Sequence, residues 1–263
     1  MCADHVAETG VANRCRGASI LPFSVDPRFN AIYFWLGQEQ YCRAWHRGSL
    51  HWSDFGGGID DVDDGRPERC AAREFQEETM SCIPVSDSEN SLSDQAIITS
   101  GTRPDAAWIA SSLMLGRYCT CVKTTNTRDG TYYAMYVVQV PWRPSATHMF
   151  SSCRNNANVP GLGEQHPGHG NDTFLEKSRI RLWGAQQLRQ ALHPDTRPYN
   201  RIRLRRTFRS RLATVLTMFL VVNQIATAAV QTSCFYLVMA DLTIFLKYKQ
   251  GKRELKWPRA FGD

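Results

Sequence analysis

The sequence predicts an α/β domain followed by a mostly helical, hydrophobic extension, and three observations carry that reading. Aromatic and β-branched runs such as Ala31-Ile32-Tyr33-Phe34-Trp35-Leu36-Gly37 recur over the first two thirds of the chain and read as buried strands. Set among them is Arg73-Glu74-Phe75-Gln76-Glu77-Glu78-Thr79, a helical stretch preceded by the glycine run Gly56-Gly57-Gly58. From Tyr199 onward an arginine-rich run gives way to largely apolar residues, with no Gly or Pro between Pro198 and Gly251. The expected organisation is a loose polar leader over 1–16, an α/β domain over 17–195 and a basic, hydrophobic helical extension over 196–263.

Taken in order, Ala18-Ser19-Ile20-Leu21-Pro22-Phe23 ends at a turn around Asp26-Pro27-Arg28 and pairs with the 31–37 run as a hairpin. A third extended piece near Gly48 to Phe55 feeds the three glycines, which read as a loop because glycine permits positive φ and close backbone approach. A loop joining strand to helix can turn backbone N–H groups toward a phosphate. Beyond Asp60-Asp61-Val62-Asp63-Asp64-Gly65, Pro67 suits a first helical turn, and the helix is expected over Pro67 to Met80. Ser86 to Asp94 reads as surface loop. The runs 117–123 and 131–140 flank Asn126-Thr127-Arg128-Asp129-Gly130, whose Asp-Gly pair marks a hairpin turn. Pro144 to Asp172, rich in Ser, Asn, Gly, Pro and His, is expected to be a long loop. Ser178 to Trp183 is a final short strand, followed by a helix over Gly184 to Leu192.

With 263 residues, 43% hydrophobic and 21% charged, the chain can bury a full core, which argues against wholesale disorder. Its net charge of +6 is compatible with a phosphate-rich partner. Nine cysteines without a C-x-x-C pair, and no apolar run ahead of Cys15, favour reduced thiols and a cytoplasmic setting over a secreted disulfide framework.

The chemistry concentrates in the acidic helix. Glu74, Glu77 and Glu78 stand at i, i+3 and i+4, so their carboxylates share one face. Like charges at that spacing cost roughly 0.2–0.5 kcal/mol per pair in a solvated helix. The cluster becomes favourable around a hard divalent cation such as Mg2+, which takes oxygen ligands, usually one or two carboxylates plus substrate phosphates. The physical reading is a helix that presents a metal to a phosphorylated substrate.

The glycine run, the loop and Ala71-Ala72-Arg73-Glu74-Phe75-Gln76-Glu77-Glu78-Thr79 resemble the Nudix hydrolase box, G-x5-E-x7-R-E-U-x-E-E-x-G-U, with U apolar. The likeness covers roughly Gly17 to Leu192. It implies an α/β/α sandwich with a mixed sheet, Mg2+ or Mn2+ as cofactor, and hydrolysis of a nucleoside diphosphate linked to another moiety. By position Glu74, Glu77 and Glu78 match the metal ligands, with Glu77 and Glu78 also catalytic. Arg73 matches the arginine that orients the glutamates. Gly57 and Gly58 match the substrate-side glycines, and Glu176 is a candidate extra ligand or base. Two departures stand out. The box's earlier Glu falls at Gly65, with Asp64 beside it as the expected substitute and Gly58 one place early, so the loop carries an insertion. Met80 replaces the glycine that ends the helix in a left-handed conformation, so the helix is expected to run on or stop differently. The first departure leaves a second reading open: a Nudix-fold nucleotide- or RNA-binding protein of low or no activity. Triphosphates, nucleotide sugars, dinucleoside polyphosphates, capped RNA and inositol pyrophosphates are all compatible substrates.

Other features read more plainly. His148, His166 and His169 are expected to be solvated loop side chains, and Trp35, Trp45 and Trp52 packing residues rather than base-stacking platforms. Arginines 201, 203, 205, 206, 209 and 211 suit a solvated helix face first, with RNA phosphates or a juxtamembrane anchor as rivals. Residues 212–246 are open between a membrane segment and a helical hairpin packed on the domain. Leu212 to Val230 approaches spanning length, and the flanking arginines would keep its N-terminal side cytosolic. Asn223-Gln224 in mid-segment favours the packed hairpin.

Overall fold

The computed structural model describes residues 14–43, 48–85, 106–116, 119–126, 128–157, 176–193 and 202–228, with side chains of the last helix described to 219. Strand β1 (Cys15–Asp26) is the hub. Its second half pairs antiparallel with β2 (Ala31–Glu39), with Phe23 opposite Phe34, and its first half pairs antiparallel with β4 (Phe55–Gly58), with Ala18 opposite Gly57. On its other edge β1 runs parallel to β6 (Tyr132–Gln139), which pairs antiparallel with β5 (Cys119–Thr125). The turn between β5 and β6 holds Gly130 at φ 67, the left-handed conformation expected of the Asp-Gly pair. The two-residue β3 (Trp52–Ser53) and β7 (Lys177–Gly184) both pair with β2, completing a mixed sheet.

Side-chain alternation sends the sheet's residues to two separate cores. On β6, Ala134, Tyr136 and Val138 face one layer, and Met135 and Val137 the other. The first layer holds α1 (Pro67–Thr79), α2 (Ala106–Met114) and α3 (Ala146–Ala157). There Phe75 is buried edge-on against Phe55, with ring centroids 5.7 Å apart. The second layer holds α4 (Ala185–Leu192) and α5 (Arg206–Ala228), which deliver Leu188 and Phe208, Leu212, Val215 and Leu216 against Leu21, Phe34 and Leu36. Helices therefore cover both faces of a mixed sheet, the α/β/α arrangement expected from the sequence.

Three expectations change, and one left open is narrowed. The three glycines are not a loop: they form strand β4, and none has positive φ. The interval 144–172 contains helix α3, because Ala146, Met149, Phe150 and Cys153 carry a helical apolar stripe that packs on the first core. His148 is exposed on that helix, while His166, His169, the Ser86–Asp94 loop, Trp45 and residues 229–246 lie outside the described residues. The first half of α5 is a layer of the sandwich, its apolar side chains turned to the sheet. Among the described residues no helix is long and apolar enough to cross a membrane. The arginine run is not simply a solvated face, since Arg211 is buried against Asp54 at 3.4 Å and over the Tyr133 ring. Trp35 is fully buried and donates to Ser24 Oγ at 3.2 Å, and Trp52 packs edge-on against Trp183, both as packing residues.

Candidate active site

The site lies where α1 crosses β4. Asp60 opens a short 3-10 turn over Asp61–Asp63, with Asp60 N–H donating to Asp63 Oδ2 at 2.9 Å. Asp64 and Gly65 then reverse the chain through the left-handed region (φ 52 and 68), and Pro67 starts α1. The helix ends after Thr79 with Met80 at φ 52 and ψ 31. It therefore stops where the box's glycine would stop it, at a conformational cost for Met80 of about 1–2 kcal/mol. Met80 N–H donates to the Glu77 carbonyl at 3.2 Å and Ser81 N–H to that of Gln76 at 3.1 Å, satisfying the helix end.

The glycines of β4 serve close approach. A Cβ on Gly56 would collide with Ala18 and Ser19, and one on Gly57 with the Glu74 carboxylate. A Cβ on Gly58 would meet nothing closer than the Arg16 carbonyl at 3.9 Å. Gly56 gives its N–H to Glu78 Oε2 at 2.7 Å, and Gly58 offers its carbonyl to Arg73 at 3.3 Å. This part of the strand thus lays its backbone against the acidic helix.

Two cations organise the carboxylates. Arg73 donates to Asp63 through Nε at 3.1 Å and Nη2 at 2.9 Å, and its Nη1 reaches Glu74 Oε1 at 3.0 Å and Glu77 Oε2 at 3.3 Å. The hydrogen bonds to Asp63 hold the guanidinium above its ordinary range despite burial. Burial opposes ionisation of Asp63, but donation from Arg73 and the Asp60 N–H outweighs it and keeps that carboxyl below the usual range. Glu74 goes the other way: burial first, then the like charges of Glu77 and Glu176, push it up to about 7 against the pull of Arg73.

The second cation is Lys177, at the start of β7, whose Nζ lies 3.0 Å from Glu78 Oε1, 2.8 Å from Glu39 Oε1 and 2.8 Å from Ser53 Oγ. Desolvation pulls its ammonium down, yet the charges of Glu78 and Glu39 outweigh that and hold it above the ordinary lysine range. Arg205 closes the group at 3.6 Å from Glu39.

The structure brings Arg73, Glu74, Glu77, Glu78 and Gly57 together and sets Gly58 at the edge. Glu176 is exposed beside Lys177, near enough that Glu74 and Glu78 both feel its charge. Asp64 stands apart: it is exposed and pairs with Arg69, and the neighbour that Arg73 grips is Asp63. The Asp60-x-x-Asp63 spacing, a capping-box pattern, is the local signal that marks Asp63 as inward-facing. For Lys177 and Glu39 no local signal exists, because strands distant in sequence assemble them.

No three His, Cys, Asp or Glu side chains among the described residues converge as a self-sufficient metal cage. The donor chemistry still suits Mg2+ or Mn2+, which are commonly held by one or two carboxylates and completed by substrate phosphates. Glu74 and Glu77 supply two such carboxylates, both held by Arg73 Nη1.

No protein-family model matches the sequence, and no curated protein does. Among solved structures the chain is similar to the NUDIX domain of Shewanella oneidensis NrtR complexed with ADP ribose, at 11% identity and a TM-score of 0.34, covering 68% of this chain and 78% of that one. It is similar to a mutT/nudix family protein from Listeria innocua at 14% identity and a TM-score of 0.38, covering 84% and 99%. A MutT/nudix family protein from Enterococcus faecalis aligns at 9% identity and a TM-score of 0.32, covering 66% and 45%. These overlaps concern fold alone.

Proposed function

We propose that the chain is a metal-dependent pyrophosphohydrolase that cleaves a nucleoside diphosphate linked to another moiety. The observation that carries this reading is a concentration of carboxylates. Arg73 gathers three of them within 3.3 Å, those of Asp63, Glu74 and Glu77, with Glu176 close by. Partly buried acids packed this closely are costly to ionise together and gain from an added cation. Glu74 and Glu77 would hold a Mg2+ or Mn2+ ion, which supplies charge neutralisation on diphosphate oxygens and Lewis-acid activation of water.

The remaining work belongs to the chain. Arg73, fixed by Asp63 and the Gly58 carbonyl, fixes the directions of Glu74 and Glu77, so the negative face is set before substrate arrives. Gly57 leaves room for the Glu74 carboxylate against β4, and exposed Gly58 leaves the strand end open to a phosphate. Glu176, exposed at the mouth, is assigned as the group that takes a proton from the attacking water.

A second reading, a diphosphate-binding module with little turnover, is favoured by the engagement of Glu78 with Lys177. The discriminating experiment incubates purified protein with Mg2+ or Mn2+ and triphosphates, nucleotide sugars, dinucleoside polyphosphates or capped RNA, and measures product release. Turnover that Glu77→Gln abolishes supports the enzyme. Ligand binding without turnover on any substrate selects the binding module.

A further inference from the structure

We infer that Lys177 is a resident cation that withdraws Glu78 from the metal-binding set and leaves Glu74 and Glu77 as the ligands of the helix. The inference rests on the cation site proposed above. Three observations carry it. First, both Glu78 oxygens are engaged by the protein, Oε1 by Lys177 Nζ at 3.0 Å and Oε2 by Gly56 N–H at 2.7 Å, in a pocket where the Lys177 and Glu78 side chains are 1% and 3% exposed. Second, the cations that meet these carboxylates belong to the protein: Lys177 contacts both Glu78 and Glu39, and Arg205 lies 3.6 Å from Glu39.

Third, the slot for the lysine is built. Its stem crosses Gly37 of β2, where a Cβ would stand 2.8 Å from Lys177 Cδ and 2.9 Å from Cγ. Ser53 on β3 meets the ammonium at 2.8 Å. Four elements, β2, β3, β7 and α1, therefore converge on one ammonium. The three-carboxylate face read from the helix spacing becomes a two-carboxylate cation face and a sealed ion pair, and Lys177 acts as a positioning residue.

The test is a Mn2+ titration followed by the electron paramagnetic resonance signal of free Mn2+, with near-ultraviolet circular dichroism to confirm the fold of each variant. Glu78→Gln, which keeps Lys177 paired to Glu39, is expected to bind Mn2+ within about twofold of the unaltered protein, whereas Glu74→Gln weakens binding at least about tenfold. Lys177→Met combined with Glu39→Gln preserves net charge and releases Glu78. It is expected to take up one more Mn2+ than the unaltered chain. Loss of affinity in Glu78→Gln equal to that in Glu74→Gln overturns the inference, as does a folded double variant with no added Mn2+. Should the double variant not fold, the Glu78→Gln result decides alone. An unaltered protein that binds no Mn2+ contradicts the site at Glu74 and Glu77, and the gain or its absence in the double variant then decides the role of Lys177.

Discussion

Arg73 and Lys177 each gather carboxylates that include residues of α1, and they differ in what surrounds them. The Lys177 side chain is 1% exposed and sits between two carboxylates, Glu39 and Glu78, that are themselves 6% and 3% exposed. The Arg73 guanidinium is 23% exposed, and its carboxylates outnumber it three to one. A sealed ion-pair network contributes to the fold and is costly to break, whereas an open, acid-rich one would give up stability for the capacity we propose, to bind a cation. On the proposed reading, the contrast accounts for the different uses of two adjacent residues, Glu77 and Glu78.

Breaking the sealed side should have the largest effect. Lys177→Met leaves Glu78 and Glu39 buried without their ammonium and is expected to cost about 3–5 kcal/mol, measured by urea unfolding. Adding Glu78→Gln should recover a large part of that loss, and a strictly additive double variant would show that the two side chains do not interact.

The open side should respond to pH. Folding raises Glu74 from an ordinary value of 4.5 to about 7, so its neutral form is the one the fold favours. The sign follows: stability from this group is full below pH 4.5 and is lost as pH rises through about 7. At about 1.4 kcal/mol per unit the loss is roughly 3 kcal/mol between pH 4.5 and 8 in the absence of divalent cations. Glu74→Gln should flatten that slope. Asp63 has the opposite sign, because its depressed carboxyl stabilises the fold at neutral pH and loses that contribution in acid.

The two aspartates sharpen the comparison further. Asp63→Asn removes charge from the anchor of Arg73 and should cost about 1.5–3 kcal/mol along with activity, while Asp64→Asn, at a surface pair, should stay within about 0.5 kcal/mol. The smallest contrast is between the glycines. Gly57→Ala forces the Glu74 carboxylate aside and should cost about 1–3 kcal/mol together with Mn2+ affinity. Gly58→Ala, with nothing closer than 3.9 Å, should change stability by less than about 0.5 kcal/mol.

What the sequence made legible follows from periodicity. The helix over 67–79, the hairpins and the final strand-helix pair show themselves through periods of 3.6 and 2 and through the Asp-Gly turn, and Glu74 and Glu77 fall where the spacing put them. Three features were less accessible. The stripe Ala146, Met149, Phe150, Cys153 lies among Ser and Asn, so composition pointed to a loop where spacing pointed to helix α3. The choice between Asp63 and Asp64 depends on backbone direction: Asp63 turns inward from the 3-10 turn, and Asp64, at φ 52, turns out. Lys177 and Glu39 meet only because β7 and β2 pair antiparallel, with Lys177 opposite Glu39, a register that no local pattern encodes. The apolar run of α5 was equally ambiguous, since helical spacing suits a sheet face as well as a lipid one. The burial of Phe208, Leu212, Val215 and Leu216 against the sheet settles that half of it.

The claim that Glu74 and Glu77 await a cation is tested most directly by the melting temperature at pH 8 with and without Mn2+. The unaltered protein should melt higher with Mn2+, by more at pH 8 than at pH 5.5, and Glu74→Gln should show no such gain. An equal Mn2+ effect in both proteins, or none in the unaltered one, would contradict the account.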